Sequence, residues 1–199
     1  MIDVEVMKAS KAACIRVLIG LALITTTGCA STPVAVTDDR SQSAHAQRVD
    51  RAVRLVRTGD TDDAQVVLQQ LIREGNREQD VLVALSVCAM QTDDLGLALW
   101  SIEECARIHG HSYETLYNLG VLYRASKRYQ EAEDTLRLAL EYPEHAIECI
   151  AEYTYTLSVL GQLHKENLGS LVRVENEHPD PVWREWAFQQ RVRVLSADD

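Results

Sequence analysis

Leu116-x-x-Leu119-Gly120-x-x-Tyr123, then Ala132-x-x-x-Leu136, then Pro143: this stretch decides the fold, because its pattern recurs. A step of 34 residues carries Ala132 to Ala98 and Ala64, Leu136 to Ile102 and Leu68, and Gly120 to Ser86 and Ala52. A fourth column holds Leu71, Cys105 and Ala139. A fixed step of this size marks stacked supersecondary units, none of which buries its apolar face alone. The small residues have a physical reason. Two antiparallel helices approach closely only where one side carries Gly, Ala or Ser. Gly120 is expected to meet Ala132, Ser86 to meet Ala98, and Ala52 to meet Ala64. Leu68, Ile102 and Leu136, four residues further on, reach the next pair.

The stretch resembles the tetratricopeptide repeat, whose pattern is W-x2-L-G-x2-Y, then A-x3-F, then P. Leu116 replaces the usual Trp and Leu136 the usual Phe, and Pro143 comes one residue early. The expected fold is all-α, a tetratricopeptide superhelical solenoid over residues 44–199. Three clear helix pairs fall at 45–58 and 61–74, 78–92 and 95–109, and 112–126 and 129–141. A degenerate fourth falls at 145–160 and 164–177, with Gly161 at its turn and Glu166 where the small column should continue. Glycines just past helix ends suit the left-handed cap. Pro179-Asp180-Pro181 stops the array, and Val182 to Leu195 reads as a C-terminal capping helix.

The N-terminus carries a different signal. Val17-Leu18-Ile19-Gly20-Leu21-Ala22-Leu23-Ile24 is too short to span a bilayer, which needs about 20 apolar residues. Lys8, Lys11 and Arg16 precede it and Thr27-Gly28-Cys29 follows. A basic start, a short apolar core and a small-residue end make a signal peptide over 1–28. Ending on Gly-Cys, it resembles a bacterial lipoprotein signal, although Thr26 replaces the usual Leu. That resemblance makes Cys29 the lipidation site and first mature residue. Asp3 and Glu5 are foreign to such a segment, and Met7 offers a cleaner basic start. The other reading is an ordinary secretory signal with an incidental Cys. Residues 29–43 are polar and read as a flexible tether. By resemblance to enterobacterial lipoproteins, no Asp just after the Cys implies the outer membrane, on its periplasmic face.

The chain has 20 Lys+Arg against 30 Asp+Glu, and without residues 1–28 it has 17 against 28, a net −11. Such a balance argues against nucleic acid and against electrostatic adhesion to anionic lipid. Cys88, Cys105 and Cys149 show no CxxC spacing. Buried free thiols and a Cys88–Cys105 disulfide within one helix pair are the two readings open. No HExxH, GxSxG or phosphate-binding glycine loop appears. His109-Gly110-His111 reads as a solvated turn. We expect no enzyme, no metal and no cofactor.

In the tetratricopeptide fold ligands lie along the first helix of each pair. The resemblance therefore implies a groove built from Val49, Val83 and Tyr117, then Val53, Val87 and Val121, then Val56, Met90 and Arg124. Eight of these nine are apolar or aromatic. A helix apolar nearly all round expects cover on both faces. That cover is either the protein's own or a partner's amphipathic helix or extended peptide. The protein's own would be the C-terminal helix with Trp183, Trp186 and Phe188, or simply core. The carboxylate clamp of chaperone-binding repeats does not fit, because its columns hold Val49, Val53, Ala84, Glu114 and Asn118. Arg48, Arg51, Arg54 and Arg57 read as an N-terminal cap or as a contact for an acidic partner. Trp100, beside Val66 and Asp134, marks an outward column.

Small lipoproteins with this repeat are similar to the pilotins of type IV and Flp pili, which help secretin subunits reach and assemble in the outer membrane. The expected function is a lipid-anchored periplasmic scaffold for envelope assembly. An adaptor for peptidoglycan enzymes or proteases is the second reading. A helical enzyme or sugar-binding module is the third, and a polar pocket with converging carboxylates would favour it.

Overall fold

The structure, a computed structural model, describes residues 39–143 and 146–197, with side chains from Ala44 onward. The expected signal segment, Cys29 and residues 30–38 of the expected tether lie outside the described residues. Among the described residues every regular element is a helix. They fall into two compact units, residues 39–109 and 110–197.

The first unit holds α1 (Asp39–Thr58), α2 (Thr61–Arg73), α3 (Gln79–Gln91) and α4 (Leu95–His109). These are the first two expected pairs. Helix α1 begins at Asp39, inside the stretch expected to be tether. Apolar periodicity marks where a helix packs, and here the backbone stays wound beyond the first packed turn. Ala52, Ala64, Leu68 and Leu71 are buried in one cluster with Val81, Leu85 and Cys88. Ala98, Ile102 and Cys105 are buried on α4. The small and large columns thus line the helix contacts that the repeat implied.

The second unit holds α5 (Tyr113–Ala125), α6 (Tyr129–Ala139), α7 (Ile147–Leu160), α8 (Leu168–Glu177) and α9 (Pro181–Ser196). Ser112 caps α5, its side chain accepting from the Thr115 amide while Thr115 reaches back to the Ser112 amide. A Cβ on Gly120 would stand 2.5 Å from Leu136 Cγ. The close neighbour of Gly120 is therefore Leu136, one turn beyond the expected Ala132. Ala132 is still fully buried.

The turn inside each pair repeats with the same backbone. Gly59, Asp93, Lys127 and Gly161 have φ of 86°, 61°, 62° and 70°, at successive steps of 34 residues. The fourth pair therefore keeps register as far as its turn. Beyond it the register slips. Glu166, too large for the small column, lies exposed in a 3-10 turn, Lys165–Asn167. The buried positions of α8 are Leu171 and Val174, one residue later than the columns of Leu136 and Ala139 require. Helix α9 starts on Asp180, whose side chain accepts from the Val182 amide, with Pro181 at the first helical position. Trp183, Trp186 and Ala187 are buried with Tyr155, Leu171 and Val174.

Candidate interaction surface

Six of the nine expected groove residues belong to the first unit. Val49, Val56 and Val87 are buried in its core cluster, with Val53 half-buried against it. Met90 is buried too, and Val83 is half-buried. The side chains of α1 and α3 that the repeat pattern turns inward are thus largely spent on packing α1 against α3. Val53 and Val83 are the two that keep exposed surface.

The other three, Tyr117, Val121 and Arg124, are buried on α5 in the second unit. Tyr117 stacks on Tyr113 with ring centroids 6.0 Å apart. Arg124, the only charge among the nine, has a buried partner. Its Nε donates to Glu152 Oε2 at 2.6 Å, and both side chains are almost fully enclosed, at 3% and 1% exposure. The guanidinium also lies 5.2 Å over the Tyr155 ring. Tyr155 in turn meets Trp183 and Trp186 at 5.9 and 5.5 Å. Glu152 on α7 was not singled out from sequence. The available signal was charge balance: a lone Arg in an apolar column needs an acid, and Glu152 is the one acid in the buried run of α7 from Cys149 to Leu157.

His178 closes the same cluster. Its ring lies 5.5 Å from Trp183, and Nδ1 accepts from the Asp180 amide at 3.1 Å. Burial pulls its pKa below the usual imidazole value. Cys88, Cys105 and Cys149 are free and buried. Burial pushes the Cys88 and Cys149 thiols up to about 12 and Cys105 up to about 11. These are inert thiols rather than nucleophiles.

The charged candidates split. Arg48 forms a two-bonded pair with Glu74 at 2.6 and 3.2 Å, tying α1 to the end of α2. Hydrogen bonding from Arg48 holds the Glu74 carboxyl below its usual range. Arg51, Arg54 and Arg57 are exposed. His109 Nε2 lies 2.7 Å from the Arg77 carbonyl, within the turn region. Trp100 and Val66 are exposed, as the outward column implied. Among the described residues no group of His, Cys, Asp and Glu is placed to hold a metal, and no helix is long and apolar enough to cross a membrane.

Comparison with known proteins places a tetratricopeptide repeat at residues 113–152. These residues include the stretch from Leu116 to Pro143 on which the sequence reading rests. No curated protein matches by sequence. Among solved structures, the chain is similar to a point mutant of MamA at 16% identity and a TM-score of 0.56, covering 84% of this chain and 90% of that one. It is similar to MamA MSR-1 at 15% identity and a TM-score of 0.54, covering 95% of each chain. MamA AMB-1 gives 16% identity and a TM-score of 0.56, with 84% of each covered. At these identities the shared property is the fold, an array of tetratricopeptide-like helix pairs.

Proposed function

We propose that this chain is a protein–protein interaction scaffold, held at the periplasmic face of the outer membrane by lipid on Cys29 and serving envelope assembly of the pilus-secretin kind. The observation that carries the scaffold reading is the repeat array itself, matched at residues 113–152 and similar in fold to MamA. Arrays of this type stack identical helix pairs to present extended side-chain rows to other chains. The anchor rests on the apolar segment ending at Gly28-Cys29.

A partner's helix or peptide would lie along the first helices of the pairs. Of the nine residues implied there, Val53 and Val83 retain the exposure to meet it. Val49, Val56 and Val87 lie in the core cluster on which Val53 packs. The partner chemistry is apolar, since a charged ligand would face two valines.

Two experiments test the two halves separately. Cells fed an alkyne fatty acid should label the wild type and leave Cys29→Ser unlabelled; equal labelling of both ends the anchor. Crosslinking and pull-down should recover a partner with the wild type and lose it with Val53→Glu plus Val83→Glu, circular dichroism staying unchanged. A folded double variant that keeps the whole set of wild-type partners moves the binding face elsewhere.

A further inference from the structure

Helix α1 presents three arginines on its outer face. Arg51, Arg54 and Arg57 are exposed. Each step of three residues turns back by about 60°, so the three span roughly a third of the helix circumference and about 9 Å of its length. Arg54, in the middle, lies opposite the buried stripe of Val49, Ala52 and Val56. Surface arginines elsewhere find acids: Arg48 meets Glu74, Arg107 meets Glu104 and Arg173 meets Glu177. Arg51, Arg54 and Arg57 make no ion pair or hydrogen bond among the described residues, although Asp50 stands one turn before Arg54.

The first helix of an array has no preceding repeat to pack on, so its outer face must be polar. Polarity alone does not explain three bases left without acids in a chain of 30 Asp+Glu and 20 Lys+Arg. Like charges three residues apart on a helix repel. The helix dipole favours Arg57, in the last turn, but acts little on Arg51 and Arg54, further back. A local repulsion with no compensating group inside the chain marks a contact made outside it.

We propose that this face docks a short acidic segment of a partner protein, a run of about three Asp or Glu residues. An extended run rises about 3.3 Å per residue, so three residues match the length of the row. Each guanidinium can give two N–H groups to one carboxylate. The row is also bounded: Asp60, Asp62 and Asp63, all exposed, follow Arg57 directly. A membrane plane or a nucleic-acid backbone would carry its negative charge past the row onto those acids and into the field of a chain with net charge −10. A segment of a few residues ends before them, and acids more than about 8 Å away are screened at physiological salt. The docking rests neither on the lipid anchor nor on Val53 and Val83.

The test is fluorescence anisotropy of a labelled hexaglutamate peptide with the purified full-length chain at low ionic strength. Hexaglutamate should bind and hexaglutamine should not. Arg51→Gln with Arg54→Gln should weaken binding about tenfold while circular dichroism stays native. Arg73→Gln, exposed on α2 where it bonds Gln69 and Gln70, should leave binding unchanged. Raising salt to about 0.15 M should weaken the wild type more than the double variant. If the double variant unfolds, Arg54→Gln alone takes its place, with a smaller loss in the same direction. No binding of hexaglutamate, equal binding by the folded variant, or an equal loss in Arg73→Gln each overturns the proposal. Tighter binding of phosphatidylglycerol vesicles or of an oligonucleotide than of hexaglutamate assigns the face to another polyanion and overturns it as well.

Discussion

Residues 39–109 and residues 110–197 use the same repeat and stabilise it differently. In the first unit the buried polar side chains are Asn76, Ser86 and Ser101, all small and near helix backbones. Its core is otherwise aliphatic, with Ala and Cys. The second unit buries Thr115, Asn118, Arg124, Glu152, Thr154, Thr156 and His178, together with Tyr155, Trp183 and Trp186. In the first unit, where the 34-residue step is kept, small columns and aliphatic ridges suffice. In the second unit a buried ion pair already enters before Gly161, at Arg124 and Glu152, and after the step breaks at Gly161 the rings of His178, Trp183 and Trp186 complete the core. The lesson is that the same repeat tolerates a polar core where each buried polar group has a partner, and such groups carry greater cost when cut.

The largest effect should come from breaking that ion pair. Glu152→Leu leaves Arg124 charged and enclosed, which costs about 3–5 kcal/mol. Arg124→Met with Glu152→Leu should recover most of the loss, because two apolar side chains need no partner. Urea unfolding in a Trp100→Phe background reads the second unit, since Trp183 and Trp186 are then the remaining tryptophans. A double variant as unstable as the single one would mean the pair contributes beyond its own desolvation.

The next effect compares one column in the two units. Gly120→Ala would drive a Cβ to 2.5 Å from Leu136 Cγ, an overpacking that costs about 1–3 kcal/mol. Ser86→Ala, in the same column, removes one hydrogen bond to the Val83 carbonyl at 2.8 Å and should cost below about 1 kcal/mol. Thermal melts of both decide it. Equal losses would mean the helices of the two pairs approach equally closely.

Most of the fold was legible in the sequence. Columns at 34 residues name the buried positions directly, since Ala64, Ala98, Ala132, Leu68, Ile102 and Leu136 are all fully buried. The slip after Gly161 was half legible: Glu166 announced a break, but the new positions, Leu171 and Val174, follow from a 3-10 turn that no column predicts. The interaction surface was the least legible part. Val49 and Val87 have the same hydropathy whether they face a partner or a neighbouring helix, so pattern alone could not separate groove from core. Arg124 was readable as unusual and Glu152 as its complement only once α7 was known to lie against α5.

A smaller pair of effects should have opposite signs in the two units. Lys127 and Gly59 occupy equivalent turns with φ of 62° and 86°. A side chain in that conformation costs about 1–2 kcal/mol relative to glycine. Lys127→Gly should therefore stabilise the second unit by about 1 kcal/mol and Gly59→Ala should destabilise the first by a similar amount. Chemical denaturation of each variant measures the sign. A loss of stability in Lys127→Gly would show that the lysine makes a contact worth more than its backbone strain.

The smallest effect is a pH dependence confined to the second unit. His178 is the fully buried imidazole, and burial lowers its pKa from the ordinary 6.5, against the opposing fields of Glu148, Asp180 and Glu152. Its Nδ1 accepts from the Asp180 amide, so a proton there would break that bond, and the neutral ring carries its hydrogen on Nε2. Below pH 6.5 the unfolded chain takes up a proton that the folded chain resists. Unfolding then releases free energy through proton binding, so stability is full above that pH and falls as pH drops below it. In the first unit His45 is half-buried and His109 exposed. Melts followed through Trp183 and Trp186 should fall between about pH 7 and about pH 5 more steeply than melts followed through Trp100. His178→Gln should flatten the difference, because glutamine does not titrate. If the steeper fall persists in His178→Gln, His178 is not its source.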